Sequence, residues 1–189
     1  MKAPLEVEIK LRIETAARAR ALMRRHGFAV IAPRVFEQNL VLDDERGSLR
    51  AGGMLLRVRR AGKTGAPFVV TCTFKNPEMP GRHKRRGERE FRASDFDACV
   101  GIFASLGFRE KFRYEKYRTE YRRQSDPGHI TVDETPIGVF MELEGPARWI
   151  DRTAKEIGFS RADYVMDSYG RLYEAWCAAH GVAVKDMRF

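Results

Sequence analysis

The residues able to do chemistry come as charged pairs separated by one neighbour. "EVEIK" at positions 6–10 sets Glu6, Glu8 and Lys10 two apart, with Val7 and Ile9 between them. The same spacing recurs in Arg57 and Arg59, Glu88 and Glu90, Lys116 and Arg118, and Glu142 and Glu144. Lys75 closes "TFK", and Asp133 stands in "TVDE". Two residues is the side-chain period of a β-strand, so each pair projects from one strand face. Paired carboxylates with no His or Cys beside them suit hard cations such as Mg²⁺ or Mn²⁺. Arg and Lys pairs suit phosphate oxygens, Arg through a bidentate fork and Lys as a point charge. A wet sheet face also alternates polar and apolar residues. It would, however, mix signs to form cross-strand pairs. Pairs of one sign, recurring strand after strand, point instead to a shared ligand: a polyphosphate carrying a divalent metal.

Strands have to present these pairs. Alternation predicts a first strand over residues 4–13, and "ETAARARALMRRHGF" then repeats Ala16, Ala19, Leu22 and Met23 at helical spacing, with Gly27 as the stop. Residues 34–43 read as a strand followed by a loop rich in Gly, Asp and Ser. "GMLLRVRRAG" and "APFVVTCTFKNP" read as two strands around a Gly-containing turn, and "RRGEREFRAS" as a fifth. "SDFDACVGIFASLGF" predicts a helix with Ser94 as N-cap and Gly107 at its end. "REKFRYEKYRTEYRR", "GHITVDETP" and "GVFMELEGP" complete eight strands. "WIDRTAKEIGF" and "VMDSYGRLYEAWCAAHG" carry helical periodicity. The expected fold is α+β: an eight-stranded antiparallel β-barrel with flanking helices, wide enough inside for side chains or one small ligand. No low-complexity linker divides the chain, so residues 1–189 are expected to form one domain.

Composition narrows the classes. The chain has 35 Lys and Arg against 26 Asp and Glu, a net charge of +9 that favours an anionic partner. No run approaches the roughly 18 apolar residues of a membrane span. The opening residues lack the apolar segment of a secretory signal, so a cytoplasmic location without membrane contact is expected. Cys72, Cys99 and Cys177 are widely spaced and odd in number, which suggests buried free thiols. "GKT" at 62–64 resembles the end of a phosphate-binding P-loop. Arg57 stands where that motif needs Gly, and a strand rather than a helix follows, so it is rejected. Tyr114, Tyr117 and Tyr121 interleave with basic residues, yet strand tyrosines are more often core or rim, and nucleic-acid binding ranks low.

The ordered set E-x-E-x-K, R-x-R, Lys, E-x-E, K-x-R, Asp and E-x-E over residues 6–144 resembles the CYTH superfamily, the triphosphate tunnel metalloenzymes. "DSYGRLYEAW" resembles that family's closing S-Y-x-x-L helix. The resemblance implies a tunnel-shaped barrel lined by the charged faces. It implies that Glu6, Glu8, Glu142 and Glu144 bind Mg²⁺ or Mn²⁺. It places Arg57, Arg59, Lys75 and Arg118 on the triphosphate, supported by Lys10 and Lys116. Lys10, Glu88 and Asp133 fall in the catalytic group, and Glu90 either joins the acidic set or lies outside the tunnel. One departure concerns the second strand, often Q-x-D-x-Y-F-D in the family and here "EQNLVLDD", with Asn39 and Val41 in place of the Asp and the aromatic residue.

The resemblance implies a metal-dependent triphosphate-processing enzyme, and hydrolysis is the preferred reaction because it needs only a triphosphate grip and a water. Inorganic triphosphate, or a nucleoside or thiamine triphosphate, is the expected substrate class. A class IV adenylate cyclase making cyclic AMP and pyrophosphate is the alternative, and a non-catalytic binder of polyphosphate or RNA ends ranks third. Homodimerisation is left open.

Overall fold

The computed structural model describes residues 3–63 and 65–189. Thr64 of the "GKT" sequence lies outside the described residues. In chain order the elements are β1 (Leu5–Ile13), α1 (Ala16–Arg25), β2 (Ala29–Asp43), α2 (Ser48–Ala51), β3 (Leu55–Gly62), β4 (Val69–Lys75) and β5 (Lys84–Ala93). There follow α3 (Phe96–Ser105), β6 (Arg109–Arg122), β7 (His129–Thr135), β8 (Gly138–Glu144), α4 (Ala147–Glu156), β9 (Tyr164–Val165) and α5 (Tyr169–His180).

Strands β1 to β8 form a closed antiparallel barrel in the order β5-β4-β3-β2-β6-β7-β8-β1, sealed by pairing of β1 with β5. Strand β1 is shared along its length. Leu5 to Glu8 pair with β5, while Lys10 and Leu11 pair with the short β9. Its other edge pairs with β8, placing Glu8 opposite Glu144 and Lys10 opposite Glu142.

The polar side of the strands faces inward, and the apolar side faces the helices. Ile9, Leu11, Met141 and Leu143 turn outward into a core with Ala19 and Met23 of α1 and Trp149 and Ile150 of α4. Leu56, Val58 and Cys72 pack beneath α3, and Tyr114 and Phe140 pack with Tyr169 and Tyr173 of α5. Helices cover the barrel because its outer wall is hydrophobic, which frees the interior for charge. Trp149 lies so close to Gly128 and Gly145 that a Cβ on either would fall within about 3 Å of its ring, which fixes the ends of β7 and β8 beside Glu144.

Four local expectations are corrected. The second strand begins at Ala29 rather than residue 34 and carries register shifts around Ala32 to Val35, which accommodate Pro33 in an extended arm. The loop after it contains the single turn α2. Asp95, not Ser94, caps α3, its carboxylate accepting from the Ala98 backbone N–H at 2.6 Å. The last helix starts at Tyr169 with Ser168 as N-cap, because Tyr164 and Val165 are taken into the sheet as β9. Among the described residues, no helix is long and apolar enough to cross a membrane.

Candidate active site

The inward strand faces line a cavity of about 960 Å³. Glu6, Glu8, Lys10, Arg57, Arg59, Lys75, Glu88, Glu90, Lys116, Arg118, Glu142 and Glu144 all contribute to its wall. Asp133 is not part of that wall.

On one side, β1 and β8 bring together Glu6, Glu8, Glu142 and Glu144. Lys10 Nζ lies 3.2 Å from Glu8 and 3.3 Å from Glu142. Burial alone would raise the Glu8 carboxyl, but Lys10 and Lys84 outweigh it and hold the group down at about 2. Glu142 stays well below the usual carboxylate range for the same reason, with burial opposed by Lys10 and Arg118. Glu6 receives Lys75 at 2.7 Å and Arg86 at 3.4 Å. Glu144 has no Lys or Arg partner. Its nearest basic group is His129 at 3.7 Å, which burial biases toward the neutral imidazole, and burial together with Glu6 and Glu8 pushes the Glu144 carboxyl up to about 7.

Across the cavity, Lys75 also meets Glu88 at 2.9 Å, and Arg59 meets Glu37 at 3.4 Å. Burial would raise Glu88, but Lys75 and Arg57 prevail and keep it below its ordinary value. Glu90 lines the open part of the wall, accepting from Thr73 Oγ1 at 3.0 Å. Arg57 differs from the other enclosed cations on this lining. Its guanidinium reaches only neutral groups, donating to Tyr114 Oη at 3.3 Å and Thr73 Oγ1 at 3.2 Å, and its Nε has no partner. Lys10, Arg59, Lys75, Lys84, Arg86, Lys116 and Arg118 each have a carboxylate partner; Arg57 has none among the described residues.

Behind the wall, Asp133 is fully buried. Its carboxylate accepts from Lys116 at 2.8 Å, from Arg118 at 2.7 and 2.6 Å, and from the Tyr169 hydroxyl at 2.6 Å. Arg118 also pairs with Glu142. The Tyr169 ring lies 4.9 Å from Lys116 Nζ and 5.4 Å from Lys10 Nζ. The start of α5, which itself lines the cavity, thus braces the cations through Tyr169, and Asp133 sets their positions.

Several residues escaped the sequence analysis. Lys84 and Arg86 continue the inward face of β5 ahead of Glu88 and touch Glu8 and Glu6. Glu37 of β2 is buried and pairs with Arg59 and Lys116. The expected division into acidic and basic walls is therefore replaced by interleaved signs. A stricter period-two count through β5 would have found Lys84 and Arg86. Glu37 offered no such signal, since its strand carries no second charge in phase until Asp43.

The donor set fits a hard divalent cation. It is built from carboxylate oxygens alone, and Glu144 stands among three like charges without a cation to match. Among the described residues, no three His, Cys, Asp or Glu side chains are gathered as a ready cage. Lysines and arginines occupy the carboxylate oxygens instead, so loading a dication means exchanging partners. Glu144→Gln removes repulsion, and the metal-free protein should melt at a higher temperature while gaining less from added Mg²⁺. Thermal melts with and without Mg²⁺ test this; undiminished Mg²⁺ stabilisation in the variant would exclude Glu144 from the metal set.

Comparison with known proteins places this geometry. Residues 4–166 match the family model described as the CYTH domain. A candidate adenylate cyclase from Methanocaldococcus jannaschii is 29% identical over 140 residues, 74% of this chain and 76% of the relative. The solved structure of a candidate adenylate cyclase from Vibrio parahaemolyticus superposes with a TM-score of 0.78 at 19% identity, covering 92% of this chain and 99% of that one. A Hippeastrum protein, described as a candidate adenylyl cyclase with a dominant triphosphatase activity, superposes with a TM-score of 0.60 at 16% identity over 95% of this chain and 97% of that one. At these identities the structural likenesses show a shared fold.

Proposed function

We propose that this chain, which belongs to the CYTH domain family, hydrolyses a simple triphosphate, inorganic triphosphate foremost, with the help of Mg²⁺ or Mn²⁺. The observation that carries this reading is Arg57. A largely buried guanidinium with only neutral partners leaves a site for an anion on one wall, while Glu144 leaves a site for a cation near the other. A metal–triphosphate complex satisfies both at once.

Glu6, Glu8, Glu142 and Glu144 would hold the dication, which would supply charge neutralisation to phosphate oxygens when bound. The chain's own residues do the rest. Arg57, Arg59, Lys75 and Arg118 bind phosphate oxygens, and those now on carboxylates exchange them for phosphate. Lys10 sits between Glu8 and Glu142, whose charges outweigh its burial and raise its pKa. It stays an ammonium and acts by charge, not by giving up a proton. Glu88, kept ionised by Lys75 and Arg57, accepts a hydrogen bond from the attacking water and orients it toward the terminal phosphorus. The water oxygen forms a new P–O bond as the bridging P–O bond breaks, and the water's proton passes to a phosphate oxygen of the products. The charge released on the departing pyrophosphate falls beside Arg57 and Arg59. Asp133 positions Lys116 and Arg118 without reaching the substrate.

Cyclisation of ATP is the second reading, favoured by the name of the Methanocaldococcus jannaschii relative. It uses the same grip with a ribose hydroxyl as nucleophile at the α-phosphorus. The Hippeastrum protein's described activity favours hydrolysis within this fold. Purified protein with tripolyphosphate and Mg²⁺ is expected to release orthophosphate. Glu8→Ala, Arg59→Ala and chelation should each abolish release. Tight, metal-independent binding without turnover would replace the enzyme reading with a polyphosphate binder.

A further inference from the structure

Three tyrosines meet where β6 packs against α5, and they direct their hydroxyls differently. Tyr169 donates to Asp133 at 2.6 Å, and Tyr173 donates to the Asp186 carbonyl at 3.1 Å. Tyr114 only accepts. Arg57 Nη1 donates to its Oη at 3.3 Å, and among the described residues its own proton has no acceptor. Asn39 stands opposite it on β2, yet neither amide atom of Asn39 has a partner. Tyr114 is 6% exposed and lines the cavity, its ring set 5.7 Å from that of Phe112 and 6.0 Å from that of Tyr169. Packing thus fixes the ring beside the buried guanidinium. A buried tyrosine hydroxyl usually finds an acceptor, so this donor is kept for a group that the cavity takes up.

A phosphate oxygen bound to Arg57 would close a triangle with Tyr114, because Arg57 Nη1 and Tyr114 Oη already lie 3.3 Å apart. The departing pyrophosphate gains its charge beside Arg57, so the leaving oxygen falls within reach of the phenol. Glu88 on β5 and Tyr114 on β6 stand on either side of β3 in the barrel order. In-line displacement asks for that separation between the groups at the entering and leaving oxygens. We propose, on the hydrolase reading, that Tyr114 is the general acid, giving its hydroxyl proton to the bridging oxygen as that oxygen parts from the terminal phosphorus. The phenol O–H bond breaks, an O–H bond forms on the pyrophosphate, and the tyrosinate recovers a proton from solvent water. The attacking water's proton stays with the orthophosphate. The charged groups facing Tyr114 among the described residues are Arg57 of β3, Lys116 of β6 and Glu37 of β2, while α5 presents the neutral Tyr169. Burial and Glu37 would raise the phenol, but Arg57 and Lys116 outweigh them and bring it below its ordinary value. The same two cations steady the tyrosinate until it is reprotonated.

Profiles of kcat against pH, with tripolyphosphate and saturating Mg²⁺, test this. Tyr114→Phe keeps the ring and its packing, so it should melt close to wild type while kcat falls about 100-fold. Replacing Tyr114 alone by 3-fluorotyrosine, a stronger acid, should move the alkaline fall in kcat to lower pH, because an acid works only while protonated. Lys84, which burial and Lys10 bring down to about 8, lines the same cavity, and any fall it causes should persist in Tyr114→Phe. Full kcat in Tyr114→Phe, or an alkaline fall that fluorination leaves in place, would overturn the assignment and leave hydrolysis standing. A wild-type protein that releases no orthophosphate would remove the hydrolase reading and the acid with it.

Discussion

Arg57→Met is expected to lower kcat for triphosphate hydrolysis by about 100- to 1000-fold, the usual cost of losing one preorganised donor to developing charge. Its melting temperature should change little. The two outcomes come from one feature of the fold. Arg57 is a largely enclosed cation whose contacts are hydroxyls; burial disfavours its charge, and Tyr114 with the more distant Glu37 and Glu88 offset that cost without a carboxylate in contact. Methionine fills a similar volume without that charge. A group whose removal leaves stability nearly unchanged and stops the reaction is held in place for its ligand. Paired kinetics and thermal melts read both effects. A destabilised variant that still turns over normally would give Arg57 a structural part and leave the phosphate grip to other residues.

Asp133→Asn should instead cost stability heavily. The carboxylate is wholly buried, and its replacement leaves Lys116 and Arg118 short of a counter-charge they share. Breaking a buried pair of this kind costs about 3–5 kcal/mol. For a chain of this size that is a fall in melting temperature of roughly 10 °C. Hydrolysis should weaken mainly through KM, since Lys116 and Arg118 lose their positions while the groups nearest the reacting phosphorus keep theirs. Tyr169→Phe provides a graded comparison: it removes one hydroxyl from Asp133 and keeps the ring beneath Lys10 and Lys116. It should sit between wild type and Asp133→Asn in both measurements. Equal stability of wild type and Asp133→Asn would contradict the positioning role.

The barrel and most of its lining were legible because a strand has a period of two. Once Glu6 and Glu8 face inward, so do Lys10 and Arg12, and a one-residue slip would have put every charge into the apolar layer beneath the helices. The same periodicity explains what was overlooked. Lys84 and Arg86 share a face with Glu88 and Glu90 but differ from them in sign, and attention to pairs of one sign passed over them. Contacts across the barrel leave no local mark. Glu37 with Lys116, Arg57 with Tyr114, and Tyr169 with Asp133 join residues 36 to 79 positions apart in the sequence. The β2 arm before residue 34 was not foreseen; Pro33 interrupts it, and register shifts beside it let pairing with β6 resume on the far side. The two-residue β9 is too short to carry a period at all.

Product analysis by phosphorus NMR, with tripolyphosphate and ATP incubated in parallel with Mg²⁺, addresses the tunnel's chemistry most directly. Metal-dependent conversion of tripolyphosphate to orthophosphate and pyrophosphate, with no cyclic AMP from ATP, is the expected result. Inert tripolyphosphate alongside ATP converted to cyclic AMP and pyrophosphate would contradict hydrolysis and make the chain a cyclase.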